Sequence, residues 1–235
     1  MKISESSCSL SIPGSTSMQV FSAKPETNTQ KGILVFQEAF GVNGHIKNAV
    51  RRLAQEGYLA AAPELFHRTA PAGFEGSYDN FMGIRSHMEA LTPENIIKDC
   101  EATYAWMQQE LQTNQIGCVG FCMGGFVSYL ANTALHIKAA VSFYGSQILQ
   151  KGISLASQQK SPILLFWGGQ DKSTPSDAIL QLTQALKASD KDFVTAEISK
   201  AEHGFNCDDR ASYHPIASQL AWHLSLDFFH QHIHE

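Results

Sequence analysis

The stretch that decides the fold is Ile116-Gly117-Cys118-Val119-Gly120-Phe121-Cys122-Met123-Gly124-Gly125. Up to Phe121 it carries no charge, as expected of a strand buried on both faces. From Gly124 an apolar, proline-free run to residue 135 reads as a helix. A strand that passes straight into a helix through Gly-x-Cys-x-Gly places its central residue on a sharp, strained turn. The flanking positions must then be small, and Gly120 and Gly124 meet that need. Gly125 lets the helix pack closely. The Cys122 sulfur stands at a helix N-terminus, where the backbone dipole favours a thiolate. A buried structural cysteine in a Gly-rich turn is the competing reading. Cys118 and Cys122 do not form a C-x-x-C pair.

Outward from this turn, short apolar runs alternate with helical patterns. Residues 33–36, 58–62, 139–143 and 163–167 read as strands, and 193–198 as the last one. Residues 45–56, 124–135, 175–187 and 215–231 read as helices. Another opens at Thr92-Pro93-Glu94: Thr as N-cap, Pro at the first helical position, Glu in the first turn. The alternation predicts an α/β fold with a mostly parallel central sheet and helices on both faces. A single domain over 1–235 is expected. Residues 17–22 add an antiparallel strand, and 67–91 form a lid-like excursion.

Composition narrows the function classes. The chain has 235 residues, 43% hydrophobic and 17% charged, which is globular. A formal net charge of −5 argues against a sequence-independent nucleic-acid binder, which needs a basic face. Lys47, Arg51 and Arg52 share one helix and read as a solvated face. No run approaches the roughly 18 apolar residues of a membrane span. The opening MKISESSCSLSIPGS lacks an apolar signal core. The five scattered cysteines do not form a disulfide framework, so a cytoplasmic setting is expected.

A nucleophile on such a turn calls for an acid and then a histidine, each in a loop after a later strand. The run at 163–167 is followed by Gly168-Gly169-Gln170-Asp171. The run at 193–198 is followed by Ser199-Lys200-Ala201-Glu202-His203-Gly204-Phe205. Each alone is weak, because Asp is a common turn former. Together with the turn at Cys122 they point to a Cys122–His203–Asp171 triad. Asp177 and Glu202 are rivals for the acid. Asp177 falls within a predicted helix, and Glu202 adjoins the histidine too closely in sequence.

On these motifs the sequence resembles the dienelactone hydrolase family (carboxymethylenebutenolidases) of the α/β-hydrolase fold. Its markers are Gln37-Glu38-Ala39-Phe40-Gly41-Val42-Asn43, Ala62-Pro63-Glu64-Leu65, Gly120 to Gly125, Tyr144-Gly145, Gly168 to Asp171, and Glu202 to Phe205. The resemblance implies Cys122 as nucleophile, His203 as general base and acid, and Asp171 as its orienting partner. It also implies that Glu38 governs ionisation of the thiol. The resemblance and the turn geometry both make the Met123 and Ala39 N–H groups the oxyanion hole. Arg85 is the nearest candidate for one family arginine that holds a substrate carboxylate. The other falls at Cys207, with Arg210 three residues on. Tyr144, with Phe40, Phe66, Phe81 and Trp167, is a candidate pocket residue.

The expected chemistry is acyl transfer from a small activated ester or lactone through a thioester, with no metal or organic cofactor. Two other classes compete. One is a binding or regulatory protein on a hydrolase scaffold. The other is a thiol redox protein using Cys122 with Cys118 or Cys207. The tail histidines His223, His230, His232 and His234 read as surface residues rather than a metal site.

Overall fold

The structure is a computed structural model that describes residues 1–234. The chain forms two compact units, 1–116 and 117–234. The first contains β1 (Ile3–Leu10), β2 (Met18–Pro25), β3 (Gly32–Phe36), α1 (Gly44–Gln55), β4 (Leu59–Pro63), α2 (Met82–Glu89) and α3 (Pro93–Leu111). Its strands lie in the order β1-β2-β4-β3. β1 and β2 pair antiparallel, as do β2 and β4, whereas β3 and β4 run parallel.

Every residue of β3 and β4 is buried, as their unbroken apolar runs require. The helix start at Thr92 is as the sequence reads: Thr92 accepts from the Asn95 N–H, with Pro93 in the first turn. α3 then packs on β3 and β4. It packs so closely that a Cβ at Gly32 would collide with the Met107 and Leu111 side chains.

Two elements of this unit are not foreseen. β1 is Ile-Ser-Glu-Ser-Ser-Cys-Ser-Leu, mostly exposed on both faces, so it shows no apolar alternation. α2 buries only Ile84 and has no capping side chain. Residues 67–91 fold back on the loop after β3. Ile84 packs with Ala39 and Phe40, flanked by Phe74, Tyr78 and Met88. The Gly76 N–H donates to the Phe40 carbonyl at 2.9 Å. Gly41 takes φ +83°, and a Cβ there would strike the Phe74 carbonyl.

An ion cluster anchors the start of this segment. Asp99 is fully buried and accepts from both terminal nitrogens of Arg68 at 2.7 Å, with the His67 ring 3.2 Å away. The basic face of α1 is paired rather than bare: Lys47 meets Glu75 at 2.6 Å and Arg51 meets Glu5 at 2.7 Å.

The second unit contains β5 (Ile116–Phe121) from its second residue on, α4 (Met123–Ala134), β6 (Ala140–Phe143), β7 (Ile163–Gly168), α5 (Ser176–Ala188), β8 (Phe193–Ile198) and α6 (Pro215–His232). Its strands lie in the order β5-β6-β7-β8, all parallel. Short π- and 3₁₀-helical turns occupy 148–158. β5, β6 and β7 are buried throughout, while β8 is half exposed. The parallel strands and crossover helices of both units make the α/β class expected from the alternation. Among the described residues no helix is long and apolar enough to cross a membrane.

The junction of β5 and α4 depends on its glycines. A Cβ on Gly120 would overlap the Gly124 carbonyl, and one on Gly125 would meet Ser142 and the Gly145 backbone. The obstacle at Gly120 is backbone and cannot swing away. Gly120→Ala is therefore expected to cost about 3 kcal/mol or more. A melting temperature within 2 °C of wild type would contradict this reading of the turn.

Candidate active site

Cys122 follows β5 directly and caps α4 with φ +54° and ψ −113°, outside the ordinary regions for a residue with a side chain. Such a conformation costs about 1–3 kcal/mol and survives because its neighbours fix it. The Cys122 N–H donates to the Phe143 carbonyl, and its own carbonyl accepts from the Gly125 N–H, both at 3.0 Å. The sulfur thus projects beside the first turn of α4, where Met123 occupies the first helical position. Its N–H belongs to the set that an α-helix leaves without an internal acceptor.

The loops after β7 and β8 are laced together. The Gly169 N–H donates to the Ile198 carbonyl and the Gln170 N–H to the Ala201 carbonyl, both at 2.9 Å. A Cβ on Gly168 would strike the Ala201 carbonyl, and one on Gly169 the Ser199 backbone. The Gly-Gly pair is what allows the two loops to meet. They bring Asp171 Oδ2 to 2.7 Å from His203 Nδ1, and His203 Nε2 to 3.0 Å from the Cys122 sulfur. Asp171 and His203, 49 and 81 positions beyond Cys122, thereby join it in one chain of contacts.

The electrostatics follow from this geometry. The Asp171 side chain is 2% exposed and that of His203 26%. Burial alone would raise Asp171, but the hydrogen bond and charge of His203, with donors from Ser173, hold it below its usual value. For His203, burial opposes the charged form. The hydrogen bonds to Asp171 and Cys122, and the negative charge of both, outweigh it and raise the imidazole to about 10.

Tyr144, buried just past β6, packs its ring edge-on against His203 with centroids 5.1 Å apart. It has φ +41°, and its N–H donates to the Phe166 carbonyl at 2.8 Å. Glu38 and Ala39 are buried immediately after β3, in the first unit. Arg85 is exposed on α2, where it pairs with Glu89 at 2.6 Å. Cys207 is buried, and its N–H donates to the Gly204 carbonyl at 3.0 Å. The Arg210 guanidinium lies against Gly204, next to His203. Of the rival acids, Asp177 lies in the first turn of α5 and Glu202 is exposed. Cys118 is fully buried against the Ser128 hydroxyl at 3.0 Å. Desolvation pushes its thiol up to about 12, which makes Cys118 a poor nucleophile near neutral pH.

Sequence reasoning missed Ser173. Its N–H and O–H donate to Asp171 Oδ1 at 2.8 and 2.5 Å. The available signal is only a serine two residues after an aspartate in a turn, which is common.

Parallel strands whose following loops deliver a thiol, a carboxylate and an imidazole to one point define the α/β-hydrolase class. The chain belongs to the dienelactone hydrolase family, whose family model matches residues 18–233. A Yersinia pestis protein named "Putative carboxymethylenebutenolidase" is 34% identical over 227 residues, 92% of this chain and 84% of that protein. A Synechocystis protein of the same name is 34% identical over 84% of each chain. The crystal structure of a "Putative Dienelactone Hydrolase" from Klebsiella pneumoniae superposes with a TM-score of 0.86 at 29% identity, covering 97% of this chain and 100% of that one. An acylaminoacyl peptidase from Pyrococcus horikoshii shares the fold alone, with a TM-score of 0.76 at 18% identity over 99% of this chain and 42% of its own. The chain is a carboxylic ester hydrolase, and its substrate is a small-molecule ester.

Proposed function

We propose that this hydrolase cleaves small activated esters or lactones by covalent catalysis at Cys122, through a thioester. The observation that carries the reading is the unbroken line from the Cys122 sulfur to His203 and on to buried Asp171, at 3.0 and 2.7 Å. His203 Nε2, 3.0 Å from the sulfur, takes the thiol proton as the sulfur attacks, and its hydrogen bond to Asp171 favours the imidazolium so formed.

The thiolate attacks the carbonyl carbon, forming a C–S bond and moving the π electrons onto oxygen. The Met123 N–H stabilises that oxyanion, a contribution of about 3 kcal/mol per donor in studied enzymes. Collapse breaks the bond to the leaving oxygen, which takes the Nε2 proton of His203. Acylated sulfur no longer carries charge, so one of the two partners that raised His203 is gone. The imidazole then serves as a base near neutral pH. It takes a proton from water as the oxygen attacks the thioester, and collapse frees the sulfur, which takes that proton back from Nε2. Two further assignments rest on the shared motif Gln37 to Gly41: the Ala39 N–H as the second donor, and Glu38 as the residue that governs thiol ionisation.

The nucleophile restricts the substrate. A thiolate leaves far more readily than an alkoxide, so an alkyl ester's tetrahedral intermediate reverts, whereas an enol or aryl ester goes forward. Turnover of p-nitrophenyl acetate or an enol lactone is expected to exceed that of ethyl acetate by about 10²-fold or more. Equal rates on both ester types, or hydrolysis of neither, would overturn the assignment.

A further inference from the structure

We propose that Ser173 is a positioning residue of this site, holding Asp171 Oδ1 so that Oδ2 stays aimed at the His203 ring. The inference rests on the Cys122–His203–Asp171 reading. Rotation about the terminal bond of an aspartate is soft, so burial alone does not fix which oxygen faces a neighbour. Here Oδ2 lies 2.7 Å from His203 Nδ1 while Oδ1 takes the Ser173 N–H at 2.8 Å and its O–H at 2.5 Å. The N–H contact is a turn feature that any residue except proline at 173 can make. The O–H contact requires a hydroxyl, and its length is that of a charge-assisted bond.

The two donors do different work. Together they fix the carboxylate plane, and they also keep it ionised against the cost of burial. Removing the hydroxyl loosens the plane and shifts carboxylate charge toward Oδ2, so the pull on the imidazole proton changes. The neighbouring charged side chains of Lys172, Asp177 and Glu202 are exposed, and His203 is the titratable group in contact with Oδ2. Ser173 is itself exposed, so its substitution removes no core packing.

The test compares wild type, Ser173→Ala and Ser173→Thr on p-nitrophenyl acetate from pH 5 to 10, alongside the NMR resonance of the His203 Nδ1 proton. Ser173→Ala is expected to lower kcat about tenfold, leave KM unchanged, displace a limb of the pH profile and broaden that resonance. Ser173→Thr, which keeps the hydroxyl, is expected to restore all three. An alanine variant that matches wild type in kcat, profile and resonance overturns the proposal. So does a threonine variant as defective as alanine. If wild type does not turn over the ester, the proposed function fails instead, and the resonance comparison alone decides the role of Ser173.

Discussion

Cys122→Ala is expected to lower kcat for p-nitrophenyl acetate by roughly 10⁴–10⁶-fold, the range seen when a covalent nucleophile is removed from a working triad. The fold should remain. Alanine accepts the same φ +54° backbone as cysteine, and the turn is held by main-chain contacts to Phe143 and Gly125. The residual rate measures what binding and the proposed Met123 donor achieve without covalent chemistry. Cys122→Ser should recover only part of the loss. A serine hydroxyl resists ionisation far more than a thiol, so the same His203 contact activates it less. A Cys122→Ala variant retaining a tenth or more of wild-type kcat would mean that another group attacks the carbonyl.

Asp171→Asn is expected to lower kcat by about 10³–10⁴-fold. The Ser173 N–H and O–H point at the Oδ1 position, so the amide oxygen occupies it and the NH₂ faces His203 Nδ1. That nitrogen must then accept, which leaves the remaining proton on Nε2. A neutral ring in that tautomer cannot take a proton from water at Nε2. His203 also loses one of the two partners that hold it near 10, so its titration in the variant should move down by NMR.

The pH dependence of stability follows from the same pair. His203 is raised on folding, so its contribution is full below its ordinary value of 6.5 and is lost as pH climbs through about 10. Asp171 is lowered, so its contribution is full above 3.8 and is lost as acid brings the pH down through the folded value. The melting temperature of wild type should therefore fall toward pH 10 more steeply than that of Asp171→Asn.

Much of this was legible in the sequence because local rules and tertiary context agreed. β5 coincides with the apolar run that precedes Gly120-Phe121-Cys122, and α3 begins at the Thr92-Pro93 signal. The candidate acid and histidine were legible because they follow β7 and β8 in order. What stayed hidden depends on the fold. β1 is an exposed strand whose polar residues carry no period. The basic face of α1 finds Glu75 and Glu5, partners 28 and 46 residues away that no local pattern reveals. The Gly168-Gly169 pair reads as an ordinary turn until the Ser199–Ala201 backbone lies against it. Ser173 acts through an oxygen whose orientation only the assembled loop decides.

The most direct test of the central claim is the intact mass of wild-type protein quenched in acid within the first turnovers of p-nitrophenyl acetate. A single acetyl adduct that maps to Cys122, disappears on longer incubation and is absent from Cys122→Ala is the predicted result. Turnover with no adduct, or an adduct that persists in Cys122→Ala, would contradict a thioester at Cys122.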